Sequence, residues 1–195
     1  MPPVMSFASR NIGRKIAGVG VDIVYLPRFA HILEKYSPFD PCGRSTLNKI
    51  TRKFMHEKER FHFSNLLIEE NCLAPRLHEY VAGVWALKEC SLKALCCCVS
   101  KHDLPPAQVL YAGMLYKTQT DTGVPQLEFD KMFGKKYPKY QQLSKNYDSL
   151  FSTHEFLVSL SHDKDYLIAV TNLVVFLQPY KCGPIFNVQV IFCDI

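Results

Sequence analysis

Small and β-branched residues alternate around one acid in IAGVGVDIV, residues 16–24, and that period predicts a buried strand. Pro27 restarts the chain, after which Phe29, Ile32, Leu33 and Tyr36 fall at helical spacing and predict a helix over 28–36. Residues 37–48, with Pro38, Pro41 and Gly43, read as loop. A helix is predicted over 57–67, and the longest helical pattern runs from Arg76 to Val99, ahead of Pro105 and Pro106. Residues 108–117, QVLYAGMLYK, read as a strand and 126–129 as a shorter one, with turn chemistry in DTGVP, 121–125, between them. The polar segment 131–148 shows no convincing period. Two further strands are predicted over 155–161 and 166–177, bridged by HDKD at 162–165, and another over 185–192.

Strands and helices mix without strict alternation, and the later strands are close enough for hairpins. The predicted class is α+β, a largely antiparallel sheet packed against a long helix. One domain over 16–178 is expected, with 131–148 as a polar insertion, a flexible basic segment over 1–15 and a tail over 179–195. The length of 195 residues suits that single core.

The long helical pattern contains an anomaly. VWALKECSLKALCCC, residues 84–98, sets Lys88, Glu89 and Lys93 among apolar positions, where ionised groups are costly to bury. Glu89 and Lys93 lie one turn apart, about 6 Å along one face. An exposed pair at that spacing is worth only about 0.2–0.5 kcal/mol. The surrounding Val81, Ala82, Val84, Ala86, Leu87, Leu92, Ala94 and Leu95 leave a narrow polar stripe, which places these charges at a cleft edge with Lys88 converging from the side. Asp22, the only acid in its strand, is the natural second carboxylate. Two acids with two lysines suit a magnesium ion and a pyrophosphate: oxygen ligands for the hard cation, fixed positive charge for the phosphates. No P-loop or kinase-type glycine loop is present.

Charge and cysteine content add little that conflicts. The net charge of +5 suits an acidic protein partner or a polyphosphate and is too mild to argue alone for nucleic acid. The eight cysteines form no C-x-x-C pair, so free, mostly buried thiols in an intracellular compartment are expected. Cys96–Cys98 read as helix packing, Trp85 as core, and Glu59 as a cap or surface pair. His31, His78 and His154 have no metal-ligand spacing. No run is long enough for a membrane span. The start, MPPVMSFASRNIGRK, has three basic residues and no acid, resembling the remnant of an organellar transit peptide. The expected location is the mitochondrion, with the cytoplasm as the alternative.

In order along the chain, GVGVDIVYLPRF (18–29), KFMHEKE (53–59), WALKECSLKAL (85–95), TGVP (122–125) and SLSHDKDYLIAV (159–170) resemble the phosphopantetheinyl transferases, in particular the short holo-acyl-carrier-protein synthase type and its fungal mitochondrial branch. The resemblance spans residues 16–175, and W-x-x-K-E-x-x-x-K is its most specific motif. It implies the 4′-phosphopantetheinyl transferase fold. It also implies magnesium-dependent transfer of 4′-phosphopantetheine from coenzyme A to a serine of an acyl carrier protein, releasing adenosine 3′,5′-bisphosphate. By the same resemblance Asp22 and Glu89 are metal ligands, Glu89 and Lys93 carry the chemistry, and Lys88 and Lys93 face the phosphates. Gly123, Pro125, Ser161 and His162 line the coenzyme A pocket, and Arg28 meets the acidic carrier protein. Small relatives of this kind are often trimers, so a homotrimer is a further expectation. Val84 and Val124 depart from the family pattern, standing where relatives carry an arginine and a lysine. A different class of function, nucleic-acid or nucleotide binding, would rest on the lysines and tyrosines of 131–147.

Overall fold

The computed structural model describes residues 13–69, 75–100, 102–140 and 154–177. A long strand β1 (Gly13–Tyr25) leads directly into helix α1 (Leu26–Lys35), with Pro27 inside its first turn. Helices α2 (Pro41–Thr51), α3 (Glu57–Glu69) and α4 (Pro75–Leu95) follow. A hairpin of β2 (Leu115–Gln119) and β3 (Pro125–Phe129) comes next, then β4 (His154–Asp163) and β5 (Tyr166–Leu177). The main sheet has the order β1-β5-β4, antiparallel throughout, and α4 packs across it. The expected class therefore stands: antiparallel sheet against long helix.

Two expectations are corrected. The segment read as loop over 37–48 contains α2. Asp40 is its N-cap, accepting from the Gly43 N–H at 2.6 Å, and Pro41 opens the first turn, where a missing N–H costs nothing. The predicted strand over 108–117 is a strand only from Leu115. Residues 107–109 are helical and Leu110–Met114 form a widened π turn. Apolar spacing cannot separate short helix from strand here, and the wider turn frees the Tyr111 carbonyl for another partner. Within 131–148, residues Phe133–Lys136 and Pro138–Tyr140 make short turns of helix. Residues 141–148, the expected strand over 185–192, the tail over 179–195 and nearly all of the basic start lie outside the described residues.

Alternation on β1 positions the site. Gly18, Gly20, Asp22 and Val24 face α4, whereas Val19, Val21, Ile23 and Tyr25 face outward and are exposed. A Cβ on Gly18 would lie 2.1 Å from the Ala94 carbonyl oxygen, and one on Gly20 would lie 1.8 Å from that of Cys90. Only glycine lets strand and helix backbones meet so closely. Because β1 climbs about 6.6 Å per two residues and α4 about 6 Å per four residues, the match of Gly18 with Ala94 and Gly20 with Cys90 carries Asp22 to the helical turn around Ala86–Glu89. No helix among the described residues is long and apolar enough to cross a membrane.

Candidate active site

Lys93 extends from α4 to donate to Asp22 Oδ1 at 2.8 Å and to the Val21 carbonyl at 2.8 Å. Asp22 is largely buried, with 15% of its side chain exposed, while Lys93 is half exposed. Glu89 is half-buried, and among the described residues no cation forms an ion pair with it. The Tyr111 hydroxyl lies in the electrostatic field of both acids. It is buried without a hydrogen-bond partner. Its phenol is held well above the usual range by burial, then by the Glu89 carboxylate close by and, more weakly, by Asp22. An orphaned hydroxyl in the field of two carboxylates matches an oxygen-rich site for a hard cation and its water. The residues present fit magnesium.

Lys88 lies elsewhere than expected. Its side chain is fully enclosed, and its three donors are spent on the Phe54 carbonyl (2.9 Å), the Tyr111 carbonyl (2.5 Å) and Glu59 Oε2 (2.5 Å). Burial pushes its pKa down to about 8 against the pull of Glu59. Burial likewise pushes the Glu59 carboxyl up. With all three protons committed, Lys88 binds α3 and the 110–114 turn to α4 and presents nothing to a phosphate. Its neighbour Glu89 points to the cleft because each helical residue turns about 100° from the last.

Glu59 is more than the cap or surface pair expected of it. As the third residue of α3 it accepts from the His56 N–H at 2.7 Å, closing the helix start, but it is also fully buried as the counter-ion of Lys88. Tyr111 does not stand out in the sequence, and neither does the pairing of Glu59 with Lys88, since the contacts of Lys88 with Glu59 and Tyr111 join segments 29 and 23 residues apart.

Gly123 and Pro125 belong to the β2–β3 turn, where Gly123 takes φ +81° and its N–H donates to the Thr120 carbonyl. Ser161 and His162 are exposed near the end of β4. The pairing places Ser161 opposite Ile168, and Ile168 opposite Ile23, one residue out of phase with Asp22, Ala169 and Leu160. Ser161 therefore lies on the outer face of the sheet, and Asp22 on the face against α4. Within one chain Ser161 and Asp22 are not brought together, whereas His162, opposite Leu167 and through it Val24, is in phase with Asp22. Arg28 is exposed on α1 with its guanidinium 5.9 Å from the Trp85 ring centre. It flanks an apolar cavity of about 120 Å³ between Phe29, Ile32, Leu47, Ile50 and Trp85. In the described part of 131–147, Phe133 is fully buried with Tyr137 and Tyr140 packed on it, and Lys136 is engaged by Glu57 and Asp130. Phe133 is core and the two tyrosines lie half-buried against it, an arrangement that accounts for these rings as packing.

Residues 18–171 match the family model of the 4′-phosphopantetheinyl transferase superfamily. The chain belongs to this superfamily. A mitochondrial holo-[acyl-carrier-protein] synthase of Saccharomyces cerevisiae is 99% identical over 170 residues, covering 87% of this chain and 98% of that protein. The protein of the same name from Candida glabrata is 36% identical over 160 residues, 82% of this chain and 95% of its own. Among solved structures, an acyl carrier protein synthase of Plasmodium yoelii with ADP bound superposes with a TM-score of 0.55 at 21% identity, over 84% of this chain and 98% of that one. In this phosphopantetheinyl transferase chain, the matched span contains all of α4 and β4, β1 from Gly18 onward and β5 as far as Thr171.

Proposed function

We propose that the chain performs the holo-[acyl-carrier-protein] synthase reaction. It transfers 4′-phosphopantetheine from coenzyme A to a serine hydroxyl of an apo acyl carrier protein and releases adenosine 3′,5′-bisphosphate. One observation carries the site assignment: the glycine-mediated contact of β1 with α4 sets Asp22 beside the Glu89–Lys93 face, under one unpaired phenol. The family membership and the 99% identical mitochondrial relative support the activity and the mitochondrial location.

Asp22 and Glu89 would hold the magnesium ion, with the Tyr111 hydroxyl beside them. When bound, the ion offsets negative charge on the pyrophosphate. The chain's own groups do the rest. Lys93 is half exposed, carries one donor beyond those to Asp22 and Val21, and reaches a phosphate oxygen without leaving the helix face. As the serine oxygen bonds to the β-phosphorus and the pyrophosphate oxygen departs, the serine proton would go to Glu89, which among the described residues forms no ion pair with a lysine or arginine. Arg28, with Lys53 across the apolar cavity, offers an acidic amphipathic carrier protein two charges around a greasy seat.

Gly123, Pro125, Ser161 and His162 are assigned to coenzyme A across a boundary between copies. Val19, Val21, Ile23, Tyr25, Tyr166 and Ile168 form an exposed apolar strip on the sheet's outer face, the face that carries Ser161. Packing that strip against a second copy brings one chain's Ser161 toward another's cleft, in keeping with a homotrimer. The deciding experiment mixes protein, magnesium, coenzyme A and apo carrier protein and weighs the carrier by mass spectrometry. Gain of one phosphopantetheine is expected; an unchanged carrier mass refutes the reading.

A further inference from the structure

Glu59 answers one buried and one half-buried lysine with one negative charge. Lys88 takes Oε2, while Oε1 accepts the backbone N–H of Lys117 at 2.6 Å. The Lys117 side chain makes no ion pair with that carboxylate. Among the described residues no oxygen accepts from its ammonium, in contrast with Lys88, Lys93 and Lys136, each of which has two or three partners. The Lys117 Nζ lies beside Gly83 of α4, 3.5 Å from where a Cβ there would stand, and 5.1 Å from the centre of the Tyr80 ring. Burial pulls the Lys117 pKa down, with Glu59 the only opposing charge. A half-buried ammonium without an acceptor is unfavourable, and a leucine would fill the same space without that penalty.

The ammonium borders a cavity of about 230 Å³ between the start of α3, Tyr80 of α4 and β2. Lys58 and His62 line it from α3, and Gln119 lies two residues beyond Lys117 on the same side of β2. Lys58 rests on the Tyr116 ring at 3.9 Å, and the His62 ring lies 4.9 Å from that of Tyr80. The one acid in the wall, Glu59, is already committed to Lys88 and to backbone N–H groups. Two ammonium groups, an imidazole and a carboxamide thus surround a space with no free carboxylate.

We propose that this cavity binds a phosphate monoester, with Lys117 as its direct ligand and Lys58, His62 and Gln119 around the remaining oxygens. A dianion with several acceptor oxygens matches this donor set and supplies the charge that Glu59 cannot provide twice. The phosphate has two possible sources, a free phosphorylated molecule or the 3′-phosphate of coenzyme A. Only the second rests on the transferase reading.

The test compares wild type, Lys117→Met and Lys117→Arg. In the first arm, melting temperature is followed in sodium phosphate and in sodium chloride at equal ionic strength. Phosphate should raise the melting temperature of wild type and Lys117→Arg and leave Lys117→Met unmoved. In chloride, Lys117→Met should melt at or above the wild-type temperature, which separates loss of the ligand from loss of the fold. In the second arm, calorimetry compares coenzyme A with dephospho-coenzyme A, which lacks the 3′-phosphate. If that group is the source, wild type prefers coenzyme A by about tenfold or more, the scale of a charge-assisted hydrogen bond, and Lys117→Met loses the preference. If a free phosphate is the source, the preference is the same in both proteins and only the first arm responds. A phosphate response equal in wild type and Lys117→Met, together with an unchanged preference, overturns the proposal.

Discussion

Lys93 Nζ donates to Asp22 Oδ1 across 2.8 Å, so the cation on the long helix and the acid on the first strand, 71 residues apart, already share one site. Asp22→Asn keeps the shape and removes the charge. It should lower carrier modification at least about 100-fold, the lower range for a lost catalytic acid–base or charge-stabilising group, and Glu89→Gln should do the same. Stability should change by no more than about 1 kcal/mol, since ion pairs with an exposed partner contribute little. Carrier mass spectrometry beside thermal melting checks both halves; a variant that retains its rate places that residue outside the site.

Lys88 predicts the reverse profile. Removing either partner of the enclosed pair, as Lys88→Met or Glu59→Gln, should cost about 3–5 kcal/mol by stranding the other group. The double variant Lys88→Met with Glu59→Leu should recover part of the loss. Urea unfolding reads this directly. A Lys88→Met protein of full stability and raised KM for coenzyme A would instead make Lys88 a ligand group.

Gly20→Ala would set a methyl group 1.8 Å from the Cys90 carbonyl oxygen, where only backbone can yield. Strand and helix must part, so soluble yield and activity should collapse together. Gly123→Ala is the control: at φ +81° it meets no atom within 4 Å, and its cost should be the backbone term alone, about 1–2 kcal/mol. Expression and melting of the two variants side by side tell a contact from a conformation.

His56 gives a pH signature. Its Nε2 donates to Asp130 at 3.1 Å and its Nδ1 accepts from the Lys58 N–H at 3.3 Å, which fixes the neutral ring in one tautomer. Burial first of all holds its pKa below 6.5, outweighing Asp130. Below pH 6.5 the unfolded chain therefore takes up a proton that the folded chain refuses. The stabilisation is complete above that pH and is lost as pH falls through the lowered value. Melting temperature should drop on acidification from pH 6.5, and His56→Gln should show a flatter slope; parallel curves would count against this account.

Arg28→Glu reverses a charge at the rim of the apolar cavity on α1. KM for the carrier protein should rise about tenfold, with KM for coenzyme A unchanged. Steady-state kinetics with each substrate varied in turn separates the two.

Much of this molecule could be read before folding. Period-two spacing predicted the strand that carries Asp22, though as a buried one whereas its outer face is exposed, and helical spacing put Glu89 and Lys93 on one face, because both depend only on local geometry. The fate of Lys88 could not be read the same way: its roof is built from Phe54, Glu59 and Tyr111, contributed by distant segments. Helix α2 was within reach, since Asp40-Pro41 is a helix-start signal, but the prolines around it outweighed that signal. Residues 107–114 were not, for a short apolar run has no period long enough to distinguish a tight coil from an extended chain.

The Glu59 carboxylate also bears on how the protein comes apart. It ends on the first turn of α3 through His56, on α4 through Lys88 and on β2 through the Lys117 backbone. None of these three can be peeled away alone without leaving a dehydrated charge facing nothing. Amide protons across that junction should accordingly exchange with solvent as one cooperative block, released only when the molecule opens there as a whole.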